Sequence, residues 1–112
     1  MLENIYAIDK NTLFLWLAQL GHTSSLKKLL DLDEFTVDIN MTSKNGNTAL
    51  IIACDQNNID CVKLLLEYGI DVNKLNNNGH SSLYIASKYN YNECIKLLLE
   101  YGANIDQLII SL

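Results

Sequence analysis

The sequence predicts an all-α fold, a solenoid of stacked helix–turn–helix repeats with short hairpin-like fingers. Two observations lead to this prediction. A stretch beginning at Asn45 returns at Asn78, and a second stretch beginning at Cys61 returns at Cys94, both at an offset of 33 residues. Sequence periods of about 20–50 residues are characteristic of repeat architectures, in which each unit buries its apolar face against its neighbours.

The two stretches divide the chain into repeats. The first reads NGNTALIIA and NGHSSLYIA in its two copies, and the second reads CVKLLLEYG and CIKLLLEYG. A degenerate earlier copy aligns from Asp9 at an offset of 36, so three additional residues lie between Leu32 and Val37. We therefore expect a single domain over 1–112, with repeat one at about 9–41, repeat two at about 42–74, repeat three at about 75–107 and a tail at 108–112.

Each unit reads as helix, turn, helix and finger. Apolar residues follow helical spacing in two short segments, which Asn57 separates in repeat two, and its equivalents are Gly21 and Asn90. These residue types tolerate the left-handed conformation that often ends a helix. Thr48 and Ser81 carry hydroxyl groups that suit helix starts, and Gly69 and Gly102 end the second helices. Asn45-Gly46 and Asn78-Gly79 mark tight turns.

These motifs resemble the ankyrin repeat family, whose unit has a G-x-T-P-L-H-x-A-A first helix, a G-H turn, an I-V-x-L-L-L second helix and a G-A-D-V-N exit. The resemblance covers residues 9–106. The matching positions of repeat two are Gly46, Thr48, Leu50, Ala53, Leu64-Leu65-Leu66, Gly69 and Asp71-Val72-Asn73. Repeat one keeps Thr12, Gly21-His22 and Leu29-Leu30, and repeat three ends LLLEYGANID from Leu97. The resemblance implies a non-catalytic scaffold for protein–protein interaction: an adaptor, an inhibitor or a host-directed binding protein.

The chain departs from the family pattern at two positions of the first helix. The family's proline is replaced by Leu13, Ala49 and Ser82, and its histidine by Leu15, Ile51 and Tyr84. In the family that histidine ties neighbouring fingers together, so its absence implies looser fingers. The exit asparagines Asn40 and Asn73 match the family's pattern, and we expect their side chains to brace the hairpin.

The resemblance also implies where a partner binds. In the family the concave face is built from finger tips and first helices. The partner-binding residues expected on this basis are Lys44, Asn45, Asn47, Asp55, Gln56, Asn77, Asn78, His80, Lys88 and Tyr89. Gln19 and Leu20 occupy the equivalent helix-end positions of repeat one. Tyr89 is the best anchor candidate, because aromatic side chains dominate binding energy at protein interfaces.

Composition argues against other classes of partner. The formal charge is −5 and the chain has no arginine, which disfavours nucleic acid as the main ligand. No basic amphipathic helix, membrane span or signal peptide is visible, so we expect an intracellular, cytoplasmic protein with neither a membrane nor a small-molecule substrate as its ligand. Asparagine is abundant, which we interpret as the composition of an AT-rich genome.

Candidate catalytic and metal-binding residues are few. His22 lies on the G-H turn, where a structural role is expected, and His80 follows Gly79 in a finger, where exposure is expected. Neither has a partner at the spacing that general-base catalysis or zinc binding needs. The acidic run of Asp31, Asp33, Glu34 and Asp38 lacks calcium-loop spacing, and we interpret it as a solvated insertion with Phe35 turned inward. No enzyme activity and no cofactor are expected.

The cysteines are Cys54, Cys61 and Cys94, an odd number without a C-x-x-C pair. We expect all three to be small buried residues. Cys61 and Cys94 share one repeat position, and the family places equivalent atoms about 10 Å apart. That distance exceeds the limit of about 7 Å between the Cα atoms of a disulfide.

The ends of the stack leave alternatives open. Gln107 to Leu112 follow repeat three without a fourth G-x-T-x-L motif. They form a makeshift cap, or an end that self-associates weakly, or the start of a longer array of which this chain is an N-terminal fragment. At the other end, Leu2, Ile5 and Tyr6 are expected to cover Trp16 and Phe14. Self-assembly as a structural protein is the alternative to the binding scaffold.

Overall fold

The computed structural model describes residues 9–32 and 37–110, and for residues 109 and 110 the backbone alone. Within these ranges there are helices and one isolated β-bridge between Thr42 and Thr48, but no strand. The helices are α1 (Lys10–Leu20), α2 (Thr23–Asp31), α3 (Ala49–Asp55), α4 (Ile59–Glu67), α5 (Ser82–Lys88), α6 (Asn92–Glu100) and α7 (Ile105–Ile110). The predicted all-α fold class is confirmed.

The first helix of each repeat begins at a side chain that accepts a hydrogen bond from a backbone amide. Thr48 accepts from the amide of Ile51 at 3.2 Å, and Ser81 accepts from the amide of Tyr84 at 3.0 Å. Asp9 plays the same role for α1. Each side chain satisfies an amide that has no partner in the first helical turn, so the predicted helix starts are confirmed.

The turn between the two helices of each repeat passes through one residue with a left-handed backbone. That residue is Gly21 (φ 74°), Asn57 (φ 54°) or Asn90 (φ 60°). Asparagine adopts this conformation more readily than other residues with a Cβ, which is why the turn can be made without glycine in repeats two and three. The sequence prediction for these three positions is confirmed.

The helices pack in two layers that run along the stack. The first helices α1, α3 and α5 lie side by side, the second helices α2, α4 and α6 form the other layer, and each repeat joins one helix of each kind. Ala49, Ala53 and Ala86 are fully buried, and their small side chains let neighbouring first helices approach closely. Stacking therefore supplies the burial that helices of seven to nine residues cannot provide alone.

The three cysteines are free and buried, as expected. The Cys61 sulfur lies 3.2 Å from the hydroxyl of Thr23 in the preceding repeat. A hydrogen bond to Cys94, together with burial, raises the pKa of the Cys54 thiol well above its ordinary value. Burial likewise raises the pKa of the Cys61 thiol, whereas the hydrogen bond with Cys54 lowers the pKa of the Cys94 thiol. All three side chains are buried and fill space between the repeats, an environment that does not suit nucleophilic chemistry.

Asparagine side chains cross the junctions between repeats. Asn40 accepts a hydrogen bond from the amide of Asp71 at 2.7 Å, and Asn73 accepts one from the amide of Asn104 at the same distance. The two exit asparagines thus brace the repeat that follows them, whereas they were expected to brace their own hairpin.

The G-H turn of repeat one is held by its backbone. His22 has an exposed side chain, while its amide donates to the carbonyl of Leu17 at 3.0 Å. In repeat two the equivalent residue is Asn58, whose side-chain amide donates to the carbonyls of Ala18 and Gln19 at 2.9 and 3.2 Å. The structural role expected of the His22 side chain is therefore performed by Asn58, since its amide reaches the open carbonyl end of α1.

The segment after repeat three folds back as helix α7 against α5. Asn104 starts it by accepting a hydrogen bond from the amide of Asp106 at 2.9 Å, and Gln107 donates to the carbonyl of Asn73 at 3.1 Å. The helix covers the end of the stack only in part, because Leu99 is 45% exposed, whereas Leu66, its equivalent in repeat two, is 4% exposed. Helix α7 thus covers part of this end, and the self-association and longer-array alternatives stay predictions.

Some expectations fall on residues outside the described ranges. These are the covering role of Leu2, Ile5 and Tyr6, the inward orientation of Phe35 in the insertion, and the last two residues of the tail. Of the two residues to be covered, Phe14 is fully buried and Trp16 is 54% exposed.

Candidate protein-binding surface

The fingers of repeats two and three are two tight turns joined side by side. In each, the glycine amide donates to the carbonyl three residues earlier at 2.9 Å: Gly46 to Ser43, and Gly79 to Asn76. Both glycines have a left-handed backbone, with φ values of 79° and 76°. The Asn-Gly turns predicted from the sequence are thus confirmed, and they present Lys44, Asn45, Asn77 and Asn78 at exposed tips.

Hydrogen bonds connect the two fingers directly. The backbone amide of Asn77 donates to the carbonyl of Asn45 at 3.0 Å, and the Asn77 side chain donates to the carbonyl of Lys44 at 3.2 Å. Below the tips, the side chain of Asn76 donates to that of Asn47 at 3.0 Å. The fingers were expected to be loose without the family's histidine, but asparagine supplies the connection in its place.

His80 is less accessible than a finger-tip residue was expected to be. Its amide donates to the Asn76 side chain at 3.0 Å, and its ring stacks on that of Tyr84 with the ring centroids 4.1 Å apart. Tyr84 stands at the position where the family has histidine. The large ring at that position holds His80 against α5, so His80 is partly buried.

A groove runs between the fingers and the first helices, with a volume of about 230 Å³. We call it the finger–helix groove. Its lining comes from all three repeats and consists of Gln19, Asn47, Ile51, Ile52, Asp55, Gln56, Asn76 and Ile85. Three of the predicted binding residues, Asn47, Asp55 and Gln56, line it. Five of these residues are polar and three are isoleucines, of which Ile51 is buried while Ile52 and Ile85 are partly exposed.

Two further hollows lie along the first helices, one at repeat one and one at repeat three. At the repeat-one end, Trp16, Gln19 and Leu20 line a hollow of about 270 Å³, with Trp16 54% and Leu20 65% exposed. At the repeat-three end, Lys88 lines another hollow together with Tyr84, Ser87 and Leu108.

Tyr89, the predicted anchor, lies beside this second hollow and is 46% exposed. Its ring stacks on that of Tyr91 with a centroid distance of 5.5 Å, and the ammonium nitrogen of Lys88 lies 5.5 Å from its centroid. These contacts restrict the rotation of the Tyr89 ring.

Sequence reasoning missed an apolar row along the first helices. Trp16, Ile52 and Ile85 occupy the same position of their repeats, the residue between the family's histidine and its first alanine, and all three are at least partly exposed. We call these three residues the apolar row. The signal was present in the sequence, because a position that the family's G-x-T-P-L-H-x-A-A pattern leaves unspecified is apolar in every repeat.

The described residues offer little for catalysis or metal binding. They contain no group of three or more histidine, cysteine, aspartate or glutamate side chains close enough to share a metal ion. Likewise, none of the helices described is both long and apolar enough to cross a membrane.

Stacked helix–turn–helix units with a groove between fingers and first helices define a helical-repeat protein of the solenoid class. Within that class, the family model described as ankyrin repeats (3 copies) matches residues 13–108. The chain belongs to the ankyrin repeat family. Ankyrin repeats generally mediate protein–protein interactions, and the fold is typically a non-catalytic module.

The chain is similar to short parts of much longer proteins. It is 42% identical over 60 residues to inversin from Danio rerio, and 42% identical over 53 residues to transient receptor potential cation channel subfamily A member 1 from Homo sapiens. These matches cover 54% and 47% of this chain but only 6% and 5% of the relatives. Among solved structures, the human ASB11 ankyrin repeat domain matches with a TM-score of 0.73 and 31% identity, over 81% of this chain and 40% of that one.

Proposed function

We propose that this chain is a non-catalytic scaffold, an adaptor, inhibitor or host-directed binding protein, that holds a partner protein in the finger–helix groove. The observation that carries the proposal is the continuity of that groove. Gln19 lines both the groove and the adjoining hollow, so exposed apolar surface at Trp16 connects with the amide-lined centre. Protein interfaces usually combine apolar and polar side chains in one surface, as this groove does.

Charge supports a protein rather than nucleic acid as the ligand. The groove and the two hollows carry Asp55 and Lys88, with Lys44 at a finger tip, so positive charge is sparse here. Nucleic-acid surfaces concentrate cations to displace the counterions of phosphates. We place the protein inside a cell, in agreement with three cysteines that stay free.

The test is affinity capture with matched variants. The immobilised chain, the double variant Trp16→Ala/Tyr89→Ala and the control Tyr101→Ala are each exposed to extract of the source cell, and retained proteins are identified by mass spectrometry. Tyr101 is exposed and directly follows the second helix α6, and it lines neither the groove nor the two hollows described above. A partner retained by wild type and control but lost from the double variant supports the proposal. Equal retention by all three places binding elsewhere and contradicts it.

Self-association through the C-terminal end is the second candidate function, and the exposure of Leu99 and Ile105 favours it. They are 45% and 56% exposed at the end of the stack. Sedimentation velocity of the chain over a hundredfold concentration range decides this candidate. A sedimentation coefficient that rises with concentration, and that Leu99→Ser abolishes, supports it. A constant monomer value rejects it.

A further inference from the structure

We propose that the apolar row binds an amphipathic α-helix of the partner, in which apolar residues recur at every seventh position. The inference rests on the proposed function and goes further by naming the conformation and chemistry of the segment bound. Trp16, Ile52 and Ile85 lie on three neighbouring first helices, so the row runs along the stack, across the helix axes.

The spacing of the row follows from helix packing. Helices in contact lie about 8–10 Å apart, and residues at one repeat position are separated by about that distance from one first helix to the next. A helix rises about 1.5 Å per residue, so seven residues span about 10.5 Å. Residues seven apart also lie on nearly the same side of a helix. A helix with apolar residues at i, i+7 and i+14 therefore matches all three members of the row.

Extended conformations match the row less well. In a strand three residues span about 10 Å, but side chains alternate, so the residue at i+3 faces away from the row. In a polyproline helix three residues span about 9 Å on one side, but such segments dock in grooves lined by aromatic rings. Here Trp16 is the one aromatic member of the apolar row, and the apolar residues that line the groove are Ile51, Ile52 and Ile85, which suit aliphatic side chains of a helix.

Charge next to the row specifies the polar edge of the helix. Asp55 follows Ile52 by three residues, Lys88 follows Ile85 by three, and Gln19 stands at the same position of repeat one. Asp55 lines the groove, and Lys88 lines the hollow at repeat three. A matching partner helix carries a cation opposite Asp55 and an anion opposite Lys88, about one heptad apart. Complementary charges of this kind set register and direction more than affinity.

The test is selection of a random 20-residue peptide library displayed on phage, with the full chain as target. The spacing of apolar residues in the enriched sequences is the readout. We expect spacing of seven, with a basic and an acidic residue one heptad apart. Selection on the Asp55→Lys variant should replace the basic residue with an acidic one. Enrichment at spacing two or three, or failure to enrich any peptide with spacing of seven, overturns the helix proposal.

Single variants separate failure of this inference from failure of the proposed function. Trp16 is the chain's only tryptophan, so its fluorescence reports contact directly. Affinity of a selected peptide should fall about tenfold or more in Trp16→Ala and in Ile52→Asn, and remain unchanged in Tyr101→Ala. If the selected peptides have another spacing but lose affinity in Trp16→Ala and Ile52→Asn, only the proposed helical conformation of the ligand is rejected. If peptides of any spacing bind both variants as tightly as wild type, the helical ligand and the groove as binding site are both rejected.

Discussion

Asparagine side chains connect the repeats of this chain at four sites. Asn40 and Asn73 reach backbone amides of the next repeat, Asn58 reaches the carbonyl end of α1, and Asn76 with Asn77 joins the fingers. Amide side chains can donate and accept at once, so one residue satisfies backbone groups of both kinds. The interpretation of asparagine as mere genome composition therefore overlooked its structural use.

The first prediction concerns Asn76, whose side chain donates to Asn47 and accepts from the amides of Asn78 and His80. We expect Asn76→Ala to lower the free energy of unfolding by about 1–2 kcal/mol, because backbone amides in the finger lose their acceptor. Urea denaturation followed by circular dichroism measures the change. The control is Asn78→Ala, whose exposed side chain takes part in none of these bonds, and it should change stability by less than about 0.5 kcal/mol. Equal effects would contradict the role given to Asn76.

The second prediction compares the two finger glycines. A Cβ on Gly46 would lie 2.8 Å from the backbone nitrogen of Asn77, whereas one on Gly79 would meet nothing within 4 Å. Both glycines are left-handed, so alanine at either position costs about 1–2 kcal/mol in backbone strain. We expect Gly46→Ala to cost at least about 1 kcal/mol more, because it also pushes the fingers apart. Unfolding free energies that fall equally would show that the fingers are not in close contact.

At the scale of elements, the second helices α2 and α4 are joined by a polar cluster on their exposed edges. Lys27 donates to Asp31 at 2.7 Å, and the Tyr68 hydroxyl donates to the same carboxylate. The hydrogen bond from Lys27, followed by that from Tyr68, lowers the pKa of Asp31 below its ordinary 3.8. The same cluster raises the pKa of Tyr68 above 10, chiefly through its bond to Asp31.

The third prediction is a pH dependence of this junction. A carboxyl group whose pKa is lowered by folding stabilises the folded state above its ordinary pKa, and that contribution is lost as the pH falls through the lowered value. We therefore expect the double-mutant cycle of Asp31→Asn and Tyr68→Phe to show favourable coupling at pH 7. The coupling should weaken as the pH falls through this lowered pKa and Asp31 becomes protonated. It should be small, since both side chains are solvent-exposed. Coupling that is independent of pH would contradict the assignment to the charged carboxylate.

At the scale of the whole molecule, repeat two is the unit on which the others depend. Its helices α3 and α4 contact those of repeats one and three, whereas the outer repeats each have one neighbouring repeat among the described residues. In a linear array of this kind, stability is approximately a sum of repeat terms and interface terms. Loss of the central unit therefore removes both interfaces.

The fourth prediction follows for Leu65, which is fully buried in α4. We expect Leu65→Ala to lower the free energy of unfolding by about 2–5 kcal/mol. The fluorescence of Trp16 in repeat one should report the same midpoint as circular dichroism of the whole chain. If the Trp16 transition stayed at its wild-type midpoint while the dichroism curve split in two, repeat one would be folding independently of repeat two.

The sequence was sufficient for the fold and only partly so for the site. Repeat period, caps and turns are local properties, so Thr48, Asn57 and Gly46 could be assigned correctly without tertiary information. The stacking of His80 on Tyr84 could not, because it depends on how a finger lies against the helix that follows it. The apolar row was overlooked for another reason. The family pattern specifies no residue type at its position, so comparison with the pattern does not show that Trp16, Ile52 and Ile85 are all apolar.

Nuclear magnetic resonance shows directly whether the finger–helix groove binds protein. The ¹⁵N-labelled chain is titrated with the first captured protein or selected peptide, and backbone and indole shifts are followed. If the groove binds protein, we expect the largest chemical-shift changes at the Trp16 indole and around Ile52, Asp55 and Ile85, on all three first helices. Changes concentrated instead on the exposed edges of α4 and α6, with the Trp16 indole unmoved, would contradict it.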